Sequence, residues 1–449
     1  MPLSTTPIAE LAATGKAARR VAGRSALGPW DPSHRPADAL GILRAQDETR
    51  LAELIPIRHA RMAVSPWTYY RGAAAVMASD LSASPNTGIE VQMCGDAHVL
   101  NFGLWATPER NLLFDLRDFD ETLPGPFEWD VKRLATSIVV LARDNKLTDQ
   151  YARGAVAVML SSYRRAMARH ATAHELDTWY ARVDVPGLLG FFVSENRARI
   201  DAFIQKQARK RTSRGAFDRL TEVRDGQLRI ALDPPFRVEI PDYDEDRAQD
   251  MFRSYLDSLP THLHHLLDRF RFVDAVRQVV GVGSVGMQVF LVLIEGRSGD
   301  ADPLFLQIKQ AGPSVYESFL GPSTAASHGQ RVIHGKRLLQ TATDIFAGWV
   351  RSPRGDFYVR QFRDMKVIPD SRRIAPHLVP FAEACGAVLA RAHARSGDAA
   401  AIDGYIGRSE AFPKSVSAFA FTYAEQNTRD HAQLVAEIES GTLSAALAT

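Results

Sequence analysis

At 449 residues, with 45% apolar and 24% charged side chains, the chain has an ordinary globular composition and exceeds one typical domain. A net charge of +2 gives no polyelectrolyte field, so nucleic acid and acidic membrane surfaces are not favoured partners. There is no apolar run of membrane-spanning length and no apolar core of a signal peptide near the N-terminus, and two cysteines, Cys94 and Cys385, suit a reducing cytoplasm, the expected location, with no disulfide.

Residues 1–88 read as a loosely packed start, rich in Ala, Gly, Ser and Pro through residue 40, followed by helices. Within them RMAVSPWTYYRG gathers Arg61, Trp67, Tyr69, Tyr70 and Arg71. That set suits an anionic or planar ligand, with packing beside a site as the favoured role. Next come MCGDAHVLNFG at 93–103 and LLFDLRDFDE at 112–121, short strands and loops. Asp96 stands five residues before Asn101, and the second segment ends on Asp118 and Asp120. Phosphoryl transfer needs a carboxylate to orient the attacking hydroxyl, and an Asn and a second carboxylate on Mg²⁺. Asp96 is therefore the expected base, Asn101 and Asp118 the metal ligands, and Asp120 a further metal contact or a brace. His98 is expected to orient the loop, contact substrate or make a structural hydrogen bond. A surface turn would use the same residue types, but the apolar runs on either side bury these loops.

Residues 129–275 read mostly as helix, opening with the amphipathic VKRLATSIVVLARD. Asp130 at its start is suited to accept hydrogen bonds from the Asp96 loop, or simply to an N-terminal helix carboxylate. Arg133, one turn on, either pairs with a site carboxylate or is solvated. At 277–310 the sequence is RQVVGVGSVGMQVFLVLIEGRSGDADPLFLQIKQ. Gly281, Gly283 and Gly286 form a G-x-G-x-x-G, followed by the β-branched and aromatic MQVFLVLI rather than a helix start. A turn leads into a third strand ending on Lys309, one of only nine lysines. This is the order of a nucleotide-binding lobe. The backbone of 281–286, Ser284 included, would lie over phosphates, and Lys309 on the α- and β-phosphates. Glu317 is favoured over Gln330 as the acid that aims Lys309. A helix over 323–343, a strand over 356–363 and helices over 378–440 complete the chain.

These parts occur in protein kinases in another order: Gly-rich loop, Lys, helix, catalytic loop, metal loop. Placing 276–398 ahead of 89–275 restores it throughout, so the expected fold is an α+β, two-lobed, protein-kinase-like enzyme, circularly permuted, with additional helices. The expected units are an extension at 1–88, a catalytic lobe at 89–275, a nucleotide lobe at 276–372, and helices at 373–449 that complete the catalytic lobe. Catalysis depends on geometry rather than chain order.

The chain also resembles a bacterial family known as domain of unknown function 2252, grouped with the protein-kinase-like superfamily. The resemblance rests on IRHARMAVSPWTYYRGAA, CGDAHVLNFG, DFDETLPGPFEWDVKRLATS, VVGVGSVG, FYVRQFRDMK and LARAHARSGD. It is similar to aminoglycoside-phosphotransferase-like kinases in the Gly-Asp…Asn loop, although Cys94 stands where those have His. The resemblance implies a fold and a nucleotide site, and no substrate. The expected function is an ATP- and Mg²⁺-dependent phosphotransferase acting on a hydroxyl-bearing small molecule or protein. The alternatives are a catalytically silent nucleotide-binding regulator and a metal-dependent phosphoesterase; the Gly-Asp-x-His at 95–98 suits the latter, but the further Asp-x-His and Gly-Asn-His ligands it requires do not occur.

Overall fold

The computed structural model describes residues 6–241, 243–298, 302–353 and 355–446. The chain is a mixed α+β protein. Its main sheet is antiparallel throughout, in the spatial order Gly348–Ser352, Gly355–Gln361, Pro303–Ala311, Val289–Glu295, Arg271–Gln278, Arg237–Val238. Alternation along the strands gives the sheet two faces. Ile294, Leu306, Val350, Phe357 and Val359 pack on Tyr255 and Leu259, at and just beyond the end of the helix Glu245–Asp257. Leu291, Leu293 and Phe305 pack on Ala216, Leu220 and Ile230. Phe305, Gln307 and Lys309 alternate in step on this second face, which turns an otherwise apolar strand into a carrier of polar groups at its end.

The largest core joins Phe127–Asp144, Asp149–His170, Leu378–Ser396 and Ala411–Glu439. Two short antiparallel pairs lie against these helices. Glu90–Met93 pairs with Leu123–Pro126, with Met93 opposite Leu123. Phe102–Ala106 pairs with Leu112–Leu116, with Phe102 opposite Leu116. Each register sets a loop from the 94–101 segment beside one from the 117–122 segment. The Arg117 N–H donates to the Asn101 carbonyl at 3.1 Å, and the Thr122 hydroxyl to the Met93 carbonyl at 2.6 Å.

Two expectations are corrected. The region 129–275 is not mostly helical at its end: Thr221–Arg224, Gln227–Ile230, Arg237–Val238 and Arg271–Gln278 are strands. Sheet pairing across the chain overrides the helical periodicity there. Nor is the N-terminal stretch loose. Ile8–Ala18 packs on Ala399–Ile406 so closely that a Cβ at Gly15 would meet the Ala401 carbonyl oxygen at 1.8 Å, and one at Gly404 the Ala12 carbonyl oxygen at 2.3 Å. Small residues that read as disorder serve backbone approach. Among the described residues no helix is long and apolar enough to cross a membrane.

Candidate functional site

A cavity of about 410 Å³ lies under the second face of the sheet, lined by Gly281, Gly283, Ser284, Lys309, Asp96, His98, Asp118 and Asp120 among others. A larger cavity of about 620 Å³ opens on the opposite face, where its walls are mainly apolar side chains such as Phe290, Val292 and Ile308. The chemistry-bearing residues line the smaller one.

The loop Gly95–His98 is held from below. Asp130, at the start of the helix Phe127–Asp144 and 1% exposed, accepts the N–H groups of Cys94 at 2.7 Å and Gly95 at 3.0 Å. His393 approaches the same carboxylate at 3.3 Å, and its other ring nitrogen meets the Tyr163 hydroxyl at 2.8 Å. Gly95 adopts φ +82, and a Cβ there would stand 2.2 Å from the Glu121 carbonyl oxygen, so only glycine fits. The Tyr316 hydroxyl donates to the Gly95 carbonyl at 2.7 Å. Cys94 makes its tie to Asp130 through its backbone N–H, its sulfur accepts from the Asn101 amide at 3.7 Å, and burial pushes the thiol pKa up.

Asp96 projects into the cavity with its side chain 22% exposed, and Arg133 Nε donates to its Oδ1 at 2.6 Å. Burial raises the Asp96 carboxyl above the ordinary range, with Arg133 working against that rise. The Asn101 amide donates to the Asp96 carbonyl at 2.8 Å and to the Asp118 carbonyl at 3.0 Å, tying the two loops together. Its Oδ1 and the Oδ1 of Asp118 are buried without a hydrogen-bond partner. Burial would raise the Asp118 carboxyl, but Lys309, Arg360 and Arg117 outweigh it and hold the pKa at about 2. His98 stands edge-on to Trp67 at 5.9 Å, with Nδ1 unpartnered. Burial, Arg71 and Arg133 push its pKa well below the usual value, so the imidazole is neutral.

Lys309 does not pair with Glu317. Its ammonium closes on Asp120 Oδ2, while the Tyr358 hydroxyl donates to Asp120 Oδ1 at 2.7 Å. Glu317 is saturated locally: its carboxylate accepts the Ser314 N–H at 2.9 Å and the Ser323 N–H at 3.3 Å, and lies 3.5 Å from Arg331 Nε. Gln330 caps the Ala326 N–H instead. The helix His328–Leu339 presents Arg331 rather than an acid, and Arg331 donates to the carbonyls of Asp120, Thr122 and Gly312. Both oxygens of Asp120 are engaged here, an arrangement that braces the loop, and a metal contact would require the Lys309 pair to open.

The Gly-rich loop joins Arg271–Gln278 to Val289–Glu295, with Gly281 at φ +72 and Gly286 at φ +91. Its carbonyls are taken by the N-terminal segment: Arg61 donates to Gly281 at 2.6 Å, Arg50 to Gly283 at 2.8 Å and also to Val285, and the Leu51 N–H to Gly286 at 2.8 Å. Among the described residues no protein acceptor takes the N–H of Gly283, Ser284 or Gly286, which leaves a concave set of donors of the kind that binds anions. Sequence reasoning missed this clamp, because Arg50 and Arg61 lie more than two hundred positions from the loop. Arg71, singled out in the sequence with Arg61 and Trp67, stands on the cavity wall, but sequence reasoning missed Arg117, Arg211, Arg360 and Lys366 there. The basic run FYVRQFRDMK was the available signal for the last two.

Glu121 also lines the cavity and accepts the Val315 N–H at 2.8 Å. Burial pushes its carboxyl up to about 7 from a reference of 4.5, with the Val315 N–H and Arg331 pulling the other way. The fold therefore binds this proton more tightly than the unfolded chain does. The associated stability is complete below the unfolded value and is lost as pH rises through about 7. Glu121→Gln is expected to flatten the fall of the thermal midpoint between about pH 5 and pH 8. A parent-minus-variant difference that stays constant across that window would contradict the assignment.

The model of a family described as an uncharacterized protein conserved in bacteria, DUF2252, matches residues 50–437. The chain belongs to this family. No curated protein and no solved structure matches it. The matched span in this DUF2252 protein covers Arg50, Arg61, the two loops, the Gly-rich loop and Lys309, and so takes in the whole candidate site.

Proposed function

We propose that this protein is an ATP- and Mg²⁺-dependent phosphotransferase acting on a hydroxyl-bearing acceptor, with a two-lobed, protein-kinase-like fold in circularly permuted order. The observation that carries the reading is one cavity holding Asp96, Asp118, Lys309 and a glycine loop with free N–H groups between two antiparallel strands. The strand order supports the fold assignment, with Lys309 on the second strand after the loop, Pro303–Ala311, and the helix His328–Leu339 further along the chain.

The residues present fit the implied metal. The Oδ1 atoms of Asn101 and Asp118 are buried oxygen donors without partners, the type of ligand Mg²⁺ takes. Among the described residues no group of three or more His, Cys, Asp or Glu is placed to hold a metal. Mg²⁺ bound with a nucleotide characteristically uses one or two protein oxygens plus phosphate oxygens, so the pair suffices, whereas a two-metal phosphoesterase gains no support. When bound, Mg²⁺–ATP supplies the transferable phosphoryl group and part of the charge neutralisation. Lys309, released from Asp120, stabilises phosphate charge, and the N–H groups of 283–286 position the phosphates. Asp96, oriented by Arg133, accepts the proton of the acceptor hydroxyl, and burial makes its carboxylate a stronger base than an exposed one. Asp130 keeps the Asp96 loop in place without touching the reacting atoms.

One observation favours a second reading. Lys309 is closed on Asp120, as in a silent nucleotide-binding regulator, and catalysis requires that pair to open. Nucleotide binding is tested by thermal shift. ATP with Mg²⁺ at a hundredfold excess over Kd is expected to add about 2.7 kcal/mol to native-state stability. Lys309→Ala should lose most of that gain. A parent that does not respond, or a variant that responds equally, would remove the nucleotide site.

A further inference from the structure

The cavity has more positive charge than the proposed chemistry uses. Arg71, Arg117, Arg211, Arg360, Arg363 and Lys366 all line it, and among the described residues none is in an ion pair. Of the carboxylates nearby, Asp96 is paired with Arg133, Asp120 with Lys309 and Asp344 with Lys336 at 2.8 Å, which leaves Asp118 alone to face Arg360 and Arg117 together with Lys309.

These cations have a definite place. Gln307 lies two residues before Lys309 on the same strand face, about 7 Å away. Arg360 is opposite Gln307 in the sheet register, and its guanidinium donates twice to Gln307 Oε1, at 3.1 and 2.8 Å. Arg117 is anchored by the Leu100 carbonyl at 3.1 Å. Both guanidiniums are thus directed by neutral oxygens, and the Asp118 carboxylate, shared with Lys309, answers only part of their charge. The turn after the strand is held in an unusual backbone, with φ +63 at Arg363 and φ +49 at Met365. Such conformations cost of order 1–3 kcal/mol each and cluster at ligand sites. Arg211 closes this turn, its carbonyl accepting the Met365 N–H at 2.8 Å and its guanidinium donating to the Lys366 carbonyl at 3.2 Å. Mutual repulsion is felt within the group: burial and neighbouring cations lower Arg117 to about 10 and push Lys366 well down.

We propose that Arg117, Arg360, Arg363 and Lys366 form a second anion subsite, at the end of the groove away from the Gly-rich loop, that binds a phosphate ester. The inference rests on the reading of this groove as the phosphotransfer site. A neutral purine leaves these charges unanswered, whereas a phosphate engages fixed guanidinium forks by charge-assisted, bidentate hydrogen bonds. The phosphate has two sources: a phosphorylated acceptor beside the nucleotide, or the nucleotide's own phosphates in a reversed pose.

The test uses the full chain and inorganic pyrophosphate in EDTA at matched ionic strength, read by thermal shift. Pyrophosphate is expected to stabilise the parent and Asp118→Asn alike, since this subsite needs no metal. Lys366→Met and Arg363→Gln should each weaken it roughly tenfold, the worth of one charge-assisted hydrogen bond. Their midpoints without ligand should not fall, because each change relieves repulsion, and this separates lost binding from lost folding. Then Mg²⁺–ATP is added. Additive shifts identify a phosphorylated acceptor as the source, and competition identifies the nucleotide. Pyrophosphate binding that is absent from the parent, or unchanged in both variants, overturns the subsite. A parent that binds pyrophosphate as described but ignores Mg²⁺–ATP keeps the subsite and overturns the phosphotransfer reading instead.

Discussion

Asp96→Asn is expected to lower turnover by roughly two to four orders of magnitude, the usual contribution of a positioned general base. The change removes one charge and almost no volume. Arg133 still finds an acceptor at the Asn oxygen, so the loop tied to Asp130 should keep its shape. The lost step is the acceptance of the acceptor's proton, while the groups assigned to phosphate, Lys309 and the 283–286 N–H groups, are untouched. Binding of Mg²⁺–ATP by thermal shift should therefore survive while activity falls, a split that a general loss of folding would not produce. The readouts are ATP hydrolysis, autophosphorylation and nucleotidyl transfer to protein. Full turnover in Asp96→Asn would remove the base assignment. A parent inert in all three, yet stabilised by the nucleotide, would favour the silent regulator and the closed Lys309–Asp120 pair as its resting and only state.

What the sequence made legible follows the range of the interactions. Short-range chemistry was readable: Asp96, Asn101 and Asp118 lie within 23 residues, and strand pairing from 102 to 116 sets them side by side. The Gly-rich loop was readable as a strand connection because β-branched and aromatic residues follow it, and Lys309 because a cation ends an apolar strand. For Asp130 the sequence left two readings open, a tie to the Asp96 loop and a plain helix-end carboxylate, and the structure shows the tie through the Cys94 and Gly95 N–H groups. Long-range partners were not readable. Glu317 has the right charge for Lys309, but its oxygens are used within its own turn, which spacing alone does not reveal. Arg50 looks like a surface cation until the fold brings it to the glycine carbonyls, and Arg61, grouped in the sequence with Trp67 and Arg71, gave no sign of that partner. Composition misled at the N-terminus, where Gly15 is a contact point rather than a source of flexibility.

Asp130→Asn should have the largest effect on stability. The carboxylate is buried, and its two oxygens accept separate backbone N–H groups while His393 approaches one of them. Asn keeps one acceptor oxygen and turns the other position into a donor, which faces an N–H or the imidazole. One buried backbone donor is then left unpaired, at a cost of about 1–3 kcal/mol, and a charge-assisted bond worth about 1.5–3 kcal/mol is lost as well. The sum, about 2.5–6 kcal/mol, is a large share of the 5–15 kcal/mol that holds an ordinary domain folded. Neither solvent nor rearrangement offers an easy remedy: the site lies beneath the loop, and Gly95 is confined by the Glu121 carbonyl. Urea unfolding should show a lower midpoint with an unchanged slope, which assigns the loss to the native state. Asp96→Asn, 34 residues away in sequence and on the open side of the same loop, should lose less, because its side chain reaches the cavity and Arg133 keeps a hydrogen-bond acceptor there. A loss below 1 kcal/mol for Asp130→Asn would mean that the loop is held by Tyr316 and the paired strands, and that Asp130 is only a helix-end carboxylate.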